Sequence, residues 1–226
     1  MEISLVPRRE TLAASSAILP FAMVAAASLE VTQPPPEQRM LLRNVSWKEY
    51  VLLRDVLDGP GLRMTYLGGV LEFMSPSPEH ELWKKNIARL VELFAHVRGI
   101  DLYGYGSATF KKEAKERGAE PDECYLVGKK LADFPEIVLE VVHTTPLVDK
   151  LEVYAAFGVA EVWVFRNGTF TVHAFDATKG RYEIRDTSGR MAGLDFAVLA
   201  RYALRDDTPQ ALREFEVEVG KVQKSP

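Results

Sequence analysis

The chain has 226 residues, 47% of them hydrophobic, enough to bury a sizeable core in one domain with an N-terminal extension. Its net charge of -4 excludes a global basic field that would hold a polyanion by electrostatics alone, so any nucleic-acid contact must be local. The single cysteine, Cys124, excludes an intrachain disulfide framework and a multi-cysteine zinc site, which fits a reducing, cytoplasmic compartment.

Near the start, Arg8-Arg9 and the apolar run from Ala17 to Ala27 have the outline of a signal peptide, the mark of an exported binding domain. Glu10 and Pro20 interrupt that outline, and the run is too short to cross a bilayer. The preferred reading is a poorly packed arm over residues 1–36 that ends at Pro34-Pro35-Pro36, a domain over 37–217 and a tail over 218–226, with no membrane span.

Ser46-Trp47-Lys48-Glu49 reads as a capping box that opens a helix to about Leu57. Gly68-Gly69 between two apolar runs predicts a β-hairpin. Ser75-Pro76-Ser77-Pro78-Glu79 then starts the longest helix, with Leu82, Ile87, Leu90, Val91, Phe94 and Val97 at helical spacing up to Gly99. Three extended segments follow, over 100–110, 120–127 and 136–143. A helix is expected from Pro146 to Gly158, with Leu147, Leu151, Tyr154 and Ala155 on its apolar side. A hairpin around Asn167-Gly168, a segment over 181–185 and two helices over 194–202 and 209–217 close the chain. The fold class is α/β with a mixed sheet.

Within the third extended segment, Ile137-Val138-Leu139-Glu140-Val141-Val142 is apolar on both faces except at Glu140. Burying an ionised carboxylate costs several kcal/mol, so Glu140 must be protonated, ion-paired or bound to a cation. Asp122, after Pro121, introduces the neighbouring strand and is expected to converge on Glu140; two carboxylates side by side repel, and Mg2+ or Mn2+ is the usual remedy for hard oxygen donors. Lys150, at the border of the next helix's apolar stripe, reaches the same place and would steady developing phosphorane charge. Asp149 points toward solvent.

Pro121-Asp122, Glu140-Val141-Val142, Asp149-Lys150-Leu151-Glu152-Val153-Tyr154 and Gly158-Val159-Ala160-Glu161-Val162-Trp163, in this order and spacing, resemble the Uma-two family of restriction-endonuclease-like proteins, within the PD-(D/E)xK nuclease superfamily. The resemblance extends to Ser75-Pro76-Ser77-Pro78-Glu79-His80 and covers roughly 38–217. It implies a core of helix, three strands, helix and strand, and a metal-dependent endonuclease acting on DNA as a homodimer. It implies, too, that Lys150 supplies the amine that relatives carry two residues after the glutamate, where Val142 stands. By the same resemblance the Val141 carbonyl is a further metal ligand, and Glu79 or His80 an auxiliary acid or supporting group.

Each residue has a plainer alternative. Asp122 also suits a strand start, Glu140 with Lys150 a structural ion pair, and His80 a capping or packing role. His143 reads as a core-edge histidine, Lys84-Lys85, Lys111-Lys112 and Lys129-Lys130 as solvated faces, and Tyr154, Phe157, Trp163 and Phe165 as core. The alternative function is an inactive nuclease-fold module that binds nucleic acid or a protein partner.

Overall fold

A computed structural model of the protein describes residues 36–221, apart from 58, 60, 129 and 131. The expected arm thus lies, except for Pro36, outside the described residues.

The chain opens with strand β1 (Gln38–Arg43), which the sequence reading did not foresee. Helix α1 (Trp47–Val56) follows, its capping box formed as expected: the Glu49 amide donates to Ser46 Oγ, and the Ser46 amide donates to the Glu49 carboxylate at 2.7 Å. The hairpin β2 (Arg63–Leu67) and β3 (Val70–Ser75) turns at Gly68 and Gly69, whose φ angles of 46° and 89° are the left-handed pair that such a turn requires. Helix α2 (Pro78–Arg98) starts with Ser77 as N-cap and Pro78 in its first turn, and Gly99 ends it at φ 65°.

The segment 100–110, expected as one strand, is divided between β4 (Leu102–Gly104) and the start of β5 (Phe110–Lys112), and these belong to different sheets. A short 3-10 turn leads to β6 (Arg117–Ala119), then come β7 (Glu123–Val127) and β8 (Ile137–Val142). The helix expected from Pro146 begins later, as α3 (Lys150–Phe157), with Asp149 as its N-cap. Strands β9 (Glu161–Arg166), β10 (Thr169–Asp176) and β11 (Arg181–Arg185) and helices α4 (Phe196–Ala203) and α5 (Thr208–Lys221) complete the order, so residues 218–221 are helical.

The strands form two sheets. The larger runs β11-β10-β9-β8-β7-β4 and is mixed, because β8 and β9 pair in parallel while its other neighbours are antiparallel. The smaller runs β1-β3-β2-β6-β5, all antiparallel. The implied core order is realised in α2, β4, β7, β8, α3 and β9.

Every residue of β8 is buried, as a strand covered on both sides requires. Ile137, Leu139 and Val141 pack with Ile87, Leu90 and Phe94 of α2 and with α4 and α5. Val138 faces the opposite way, onto Val153 and Tyr154 of α3, and this second core continues to Ala119 and Leu41 of the smaller sheet. Helix α1 covers that sheet's far side, where Tyr50 stacks on Tyr66 with centroids 4.8 Å apart. A side chain at Gly118 would collide with the Tyr50 hydroxyl, which accounts for glycine there.

Glu161, buried at the start of β9, accepts hydrogen bonds from the Trp163 indole (2.9 Å), the Ser188 hydroxyl (2.6 Å) and the amides of Gly189 (2.7 Å) and Arg190 (3.1 Å). It ties the loop before α4 to the sheet. Glu161→Gln turns an amide NH2 toward donors and leaves at least one unsatisfied. A loss of about 2 kcal/mol is expected, read as a fall of about 6 °C in calorimetry. An unchanged melting temperature would show that the loop does not depend on this carboxylate.

Candidate active site

Asp122 precedes β7 and is 1% exposed. The β7–β8 register pairs Glu123 with Leu139 and Cys124 with Val138, and its next step sets Asp122 opposite Glu140. Antiparallel partners share a face, so both carboxylates lie on the α3 side of the sheet. Lys150 arrives from the first turn of α3, where Lys150, Val153, Tyr154 and Phe157 form the buried stripe. It thus lies within that stripe rather than at its border, and Leu147, expected on the apolar side, is exposed.

The Lys150 ammonium donates to Glu140 Oε2 at 2.6 Å, and the Tyr154 hydroxyl donates to Glu140 Oε1. Tyr154 therefore has a polar task beyond the packing role read from the sequence. Asp122 Oδ2 accepts the Val141 amide at 2.8 Å, and Oδ1 lies 2.9 Å from His80 Nε2. Val141 meets Asp122 through its N–H. Glu79, by contrast, is exposed, with its carboxylate 3.9 Å from His143, and stands outside the cluster.

The fully buried His80 ring spans two carboxylates, its Nδ1 lying 2.9 Å from Glu37 Oε2. Glu37 also takes Arg39 at 2.9 Å and the Thr144 amide at 3.2 Å, and Arg39 reaches Glu72 at 2.6 Å. Glu72 in turn accepts the Leu147 amide. The sequence reading missed Glu37, Arg39, Glu72 and Thr144. Of the lysines read as solvated, Lys84 is buried against Glu81 at 2.5 Å, and Lys112 donates to the Ala156 carbonyl at 2.8 Å. His143 is partly buried and stacks on Trp83 at 4.3 Å.

Burial alone would push the His80 imidazole down, but hydrogen bonds to Asp122 and Glu37, together with their charges, hold it up at about 9. Burial likewise opposes Glu37, yet bonds from His80 and Thr144 and the charge of Arg39 keep it at about 2. Asp122 is held low against its burial, first by His80 and then by Lys150. Glu140 is pushed up by burial, opposed by Lys150 and reinforced by Asp122, while the two anions hold the buried Lys150 ammonium protonated. Beside Glu140 and Lys150 lies a cleft of about 230 Å³, walled by Val142, Pro146, Val148 and Val164, with Arg166 in its lining.

Among the described residues no group of three or more His, Cys, Asp or Glu is arranged to hold a metal ion. A cation would rest on Asp122 and Glu140. Each of their four carboxylate oxygens meets one protein donor and keeps a second lone pair. Hard oxygens with free lone pairs fit Mg2+ or Mn2+, since Mg2+ is commonly bound by one or two carboxylates and completed by substrate phosphate.

No protein among the curated ones matches the sequence. Among solved structures, the crystal structure of a "putative nuclease belonging to DUF820" from Anabaena variabilis is similar at 12% identity and a TM-score of 0.45, over 76% of this chain and 99% of that one. That likeness is too loose to weigh beside the topology itself. The model of the Uma2 family, described as "Putative restriction endonuclease", matches residues 47–200, well over half of the chain, and the chain belongs to that family.

Proposed function

We propose that the protein is a divalent-cation-dependent endonuclease that hydrolyses phosphodiester bonds of DNA in the cytoplasm. The observation that carries this reading is the buried meeting of Asp122, Glu140 and Lys150 beside an open cleft. Asp122, Glu140 and the Val141 carbonyl would hold Mg2+ or Mn2+, which when bound polarises a phosphoryl oxygen and lowers the pKa of water. Lys150, kept protonated by its two acidic neighbours, presents a fixed positive charge to the phosphoryl group as negative charge builds up. Tyr154 holds the Glu140 carboxylate in place, and His80 does the same for Asp122. Apolar walls of the cleft keep water away from these charges and strengthen them. With a net charge of -4, phosphate contacts are local, and Arg166 at the cleft is placed to make one. The assembly expected is a homodimer, so that two sites face two strands; light scattering on the purified protein checks it.

The engagement of every Asp122 and Glu140 oxygen by a protein donor favours a second reading, a nuclease-fold module that binds nucleic acid without cutting it. Nicking of supercoiled plasmid in Mn2+, Mg2+ or EDTA, run beside a Mn2+ titration, separates the two. Metal-dependent nicking is expected, with Mn2+ affinity weakened by on the order of 100-fold or more in Asp122→Asn, since losing a ligand's charge costs more than losing its support. DNA binding without nicking in either metal would establish the second reading.

A further inference from the structure

Glu37 lies ten residues before the segment that matches the family, yet its carboxylate is buried inside the candidate site. It precedes β1, where alternation sets Glu37, Arg39 and Leu41 on the face that turns toward α3, with Leu41 paired to Glu72. Five donors converge on it: His80 Nδ1 at 2.9 Å, the Thr144 amide at 3.2 Å, the Thr144 hydroxyl, and Arg39 through Nε at 3.1 Å and Nη2 at 2.9 Å. One of these leads directly to Asp122, because the opposite nitrogen of the His80 ring reaches Asp122 Oδ1 at 2.9 Å.

We infer that Glu37 is a positioning residue for the metal site, orienting His80 and, through the ring, the Asp122 carboxylate. This rests on the reading of Asp122 as a cation ligand. An imidazole can rotate about its χ2 bond, and fixing one nitrogen fixes the other. With Glu37 on Nδ1, the ring presents Nε2 to Oδ1 while the Val141 amide takes Oδ2. The carboxylate plane is thereby set from both sides, and one lone pair on each oxygen is left without a protein donor. Carboxylate partners behind ligand-bearing groups change metal affinity by 10-fold to 100-fold in such arrangements.

The same carboxylate also belongs to a clamp, through Arg39 and Glu72 to the Leu147 amide in the loop before α3. A purely structural role would run through that clamp. Glu72→Gln weakens the clamp without touching His80, and Glu37→Gln disturbs both.

Mn2+ affinity, measured by electron paramagnetic resonance on the full chain with melting curves on the same samples, tells the two roles apart. Glu37→Gln is expected to weaken Mn2+ binding about 10-fold or more. Glu72→Gln is expected to lower the melting temperature and leave Mn2+ affinity within about twofold of wild type. If Glu37→Gln does not fold, His80→Gln carries the comparison, since it removes the ring that links Glu37 to Asp122 and predicts the same weakening. Wild-type affinity in the folded variant, or equal weakening by Glu72→Gln, overturns the inference and leaves the metal site standing. A wild-type protein that binds no Mn2+ overturns the metal site and this inference together.

Discussion

Lys150→Met is expected to lower turnover about 100-fold or more and to lower the melting temperature by on the order of 10 °C. The two effects share one cause. Lys150 is the cation bonded to Glu140, at 2.6 Å, and both side chains are almost wholly buried. Removing one member of such a pair leaves an uncompensated charge, which costs roughly 3 to 5 kcal/mol, several times the worth of an exposed pair. The Tyr154 hydroxyl remains on Glu140, but one neutral donor does not replace an ammonium. The structural loss should grow with pH. Glu140 already binds its proton more tightly in the folded state than at its ordinary value of 4.5, because burial, with Asp122 adding to it, outweighs the opposing Lys150. A group raised in this way subtracts stability as pH climbs above 4.5, and removing Lys150 raises it further. The melting difference between variant and wild type is therefore smaller at pH 5 than at pH 8. Lys150→Arg should rescue poorly, since a planar guanidinium does not fit a place shaped for a compact ammonium. Unchanged nicking in a destabilised Lys150→Met protein would confine Lys150 to a strut.

Glu140 was legible in the sequence because one acid stands inside an otherwise unbroken apolar strand, and the cost of burying it demands a partner. The same signal exists at Glu72, between Leu71 and Phe73, and the reading passed over it because a hairpin strand with one wet face can carry a glutamate at no cost. Only the packing of the smaller sheet against α3 shows that both its faces are covered. Glu37 and Arg39 gave still less warning. They stand just before and within an edge strand with Met40 and Leu42 exposed, so its alternation runs opposite to the usual apolar-in pattern. The stretch over 100–110 misled for another reason: residues of similar character serve two sheets, and no local pattern tells which partner a strand will find. Long regular elements such as α2 and the hairpin at Asn167-Gly168 needed no such information and were read nearly to the residue. Side-chain direction on short α3 was misjudged because the helix starts four residues after Pro146, which turns the buried stripe from Leu147 and Leu151 to Lys150 and Val153.

In metal-free protein the melting temperature is expected to decline between pH 6.5 and 9, and His80→Gln should remove most of that decline. His80 is raised from its ordinary 6.5 to about 9, because its bonds to Asp122 and Glu37 overcome a burial that would lower it. A raised base binds its proton more tightly when folded. Its contribution is fully present below pH 6.5 and is lost as pH rises through about 9. At about 1.4 kcal/mol per unit, the wild type should lose about 3 kcal/mol across that window, or on the order of 10 °C in a domain of this size. Glu37 works at the other end: lowered from 4.5 to about 2, it adds stability above pH 4.5 that disappears as pH falls through about 2. The combined contribution of these two groups therefore peaks between about 4.5 and 6.5, where Glu37 is ionised and His80 protonated at once. His80→Gln loses the ring whose two nitrogens bridge the carboxylates and has no proton to lose, so its curve should start lower and fall far less from pH 6.5 to 9. The difference between the two curves isolates the histidine from Glu140, whose effect on pH dependence is common to both proteins. A His80→Gln curve that falls in parallel with wild type would show that the ring is neutral between its two acids.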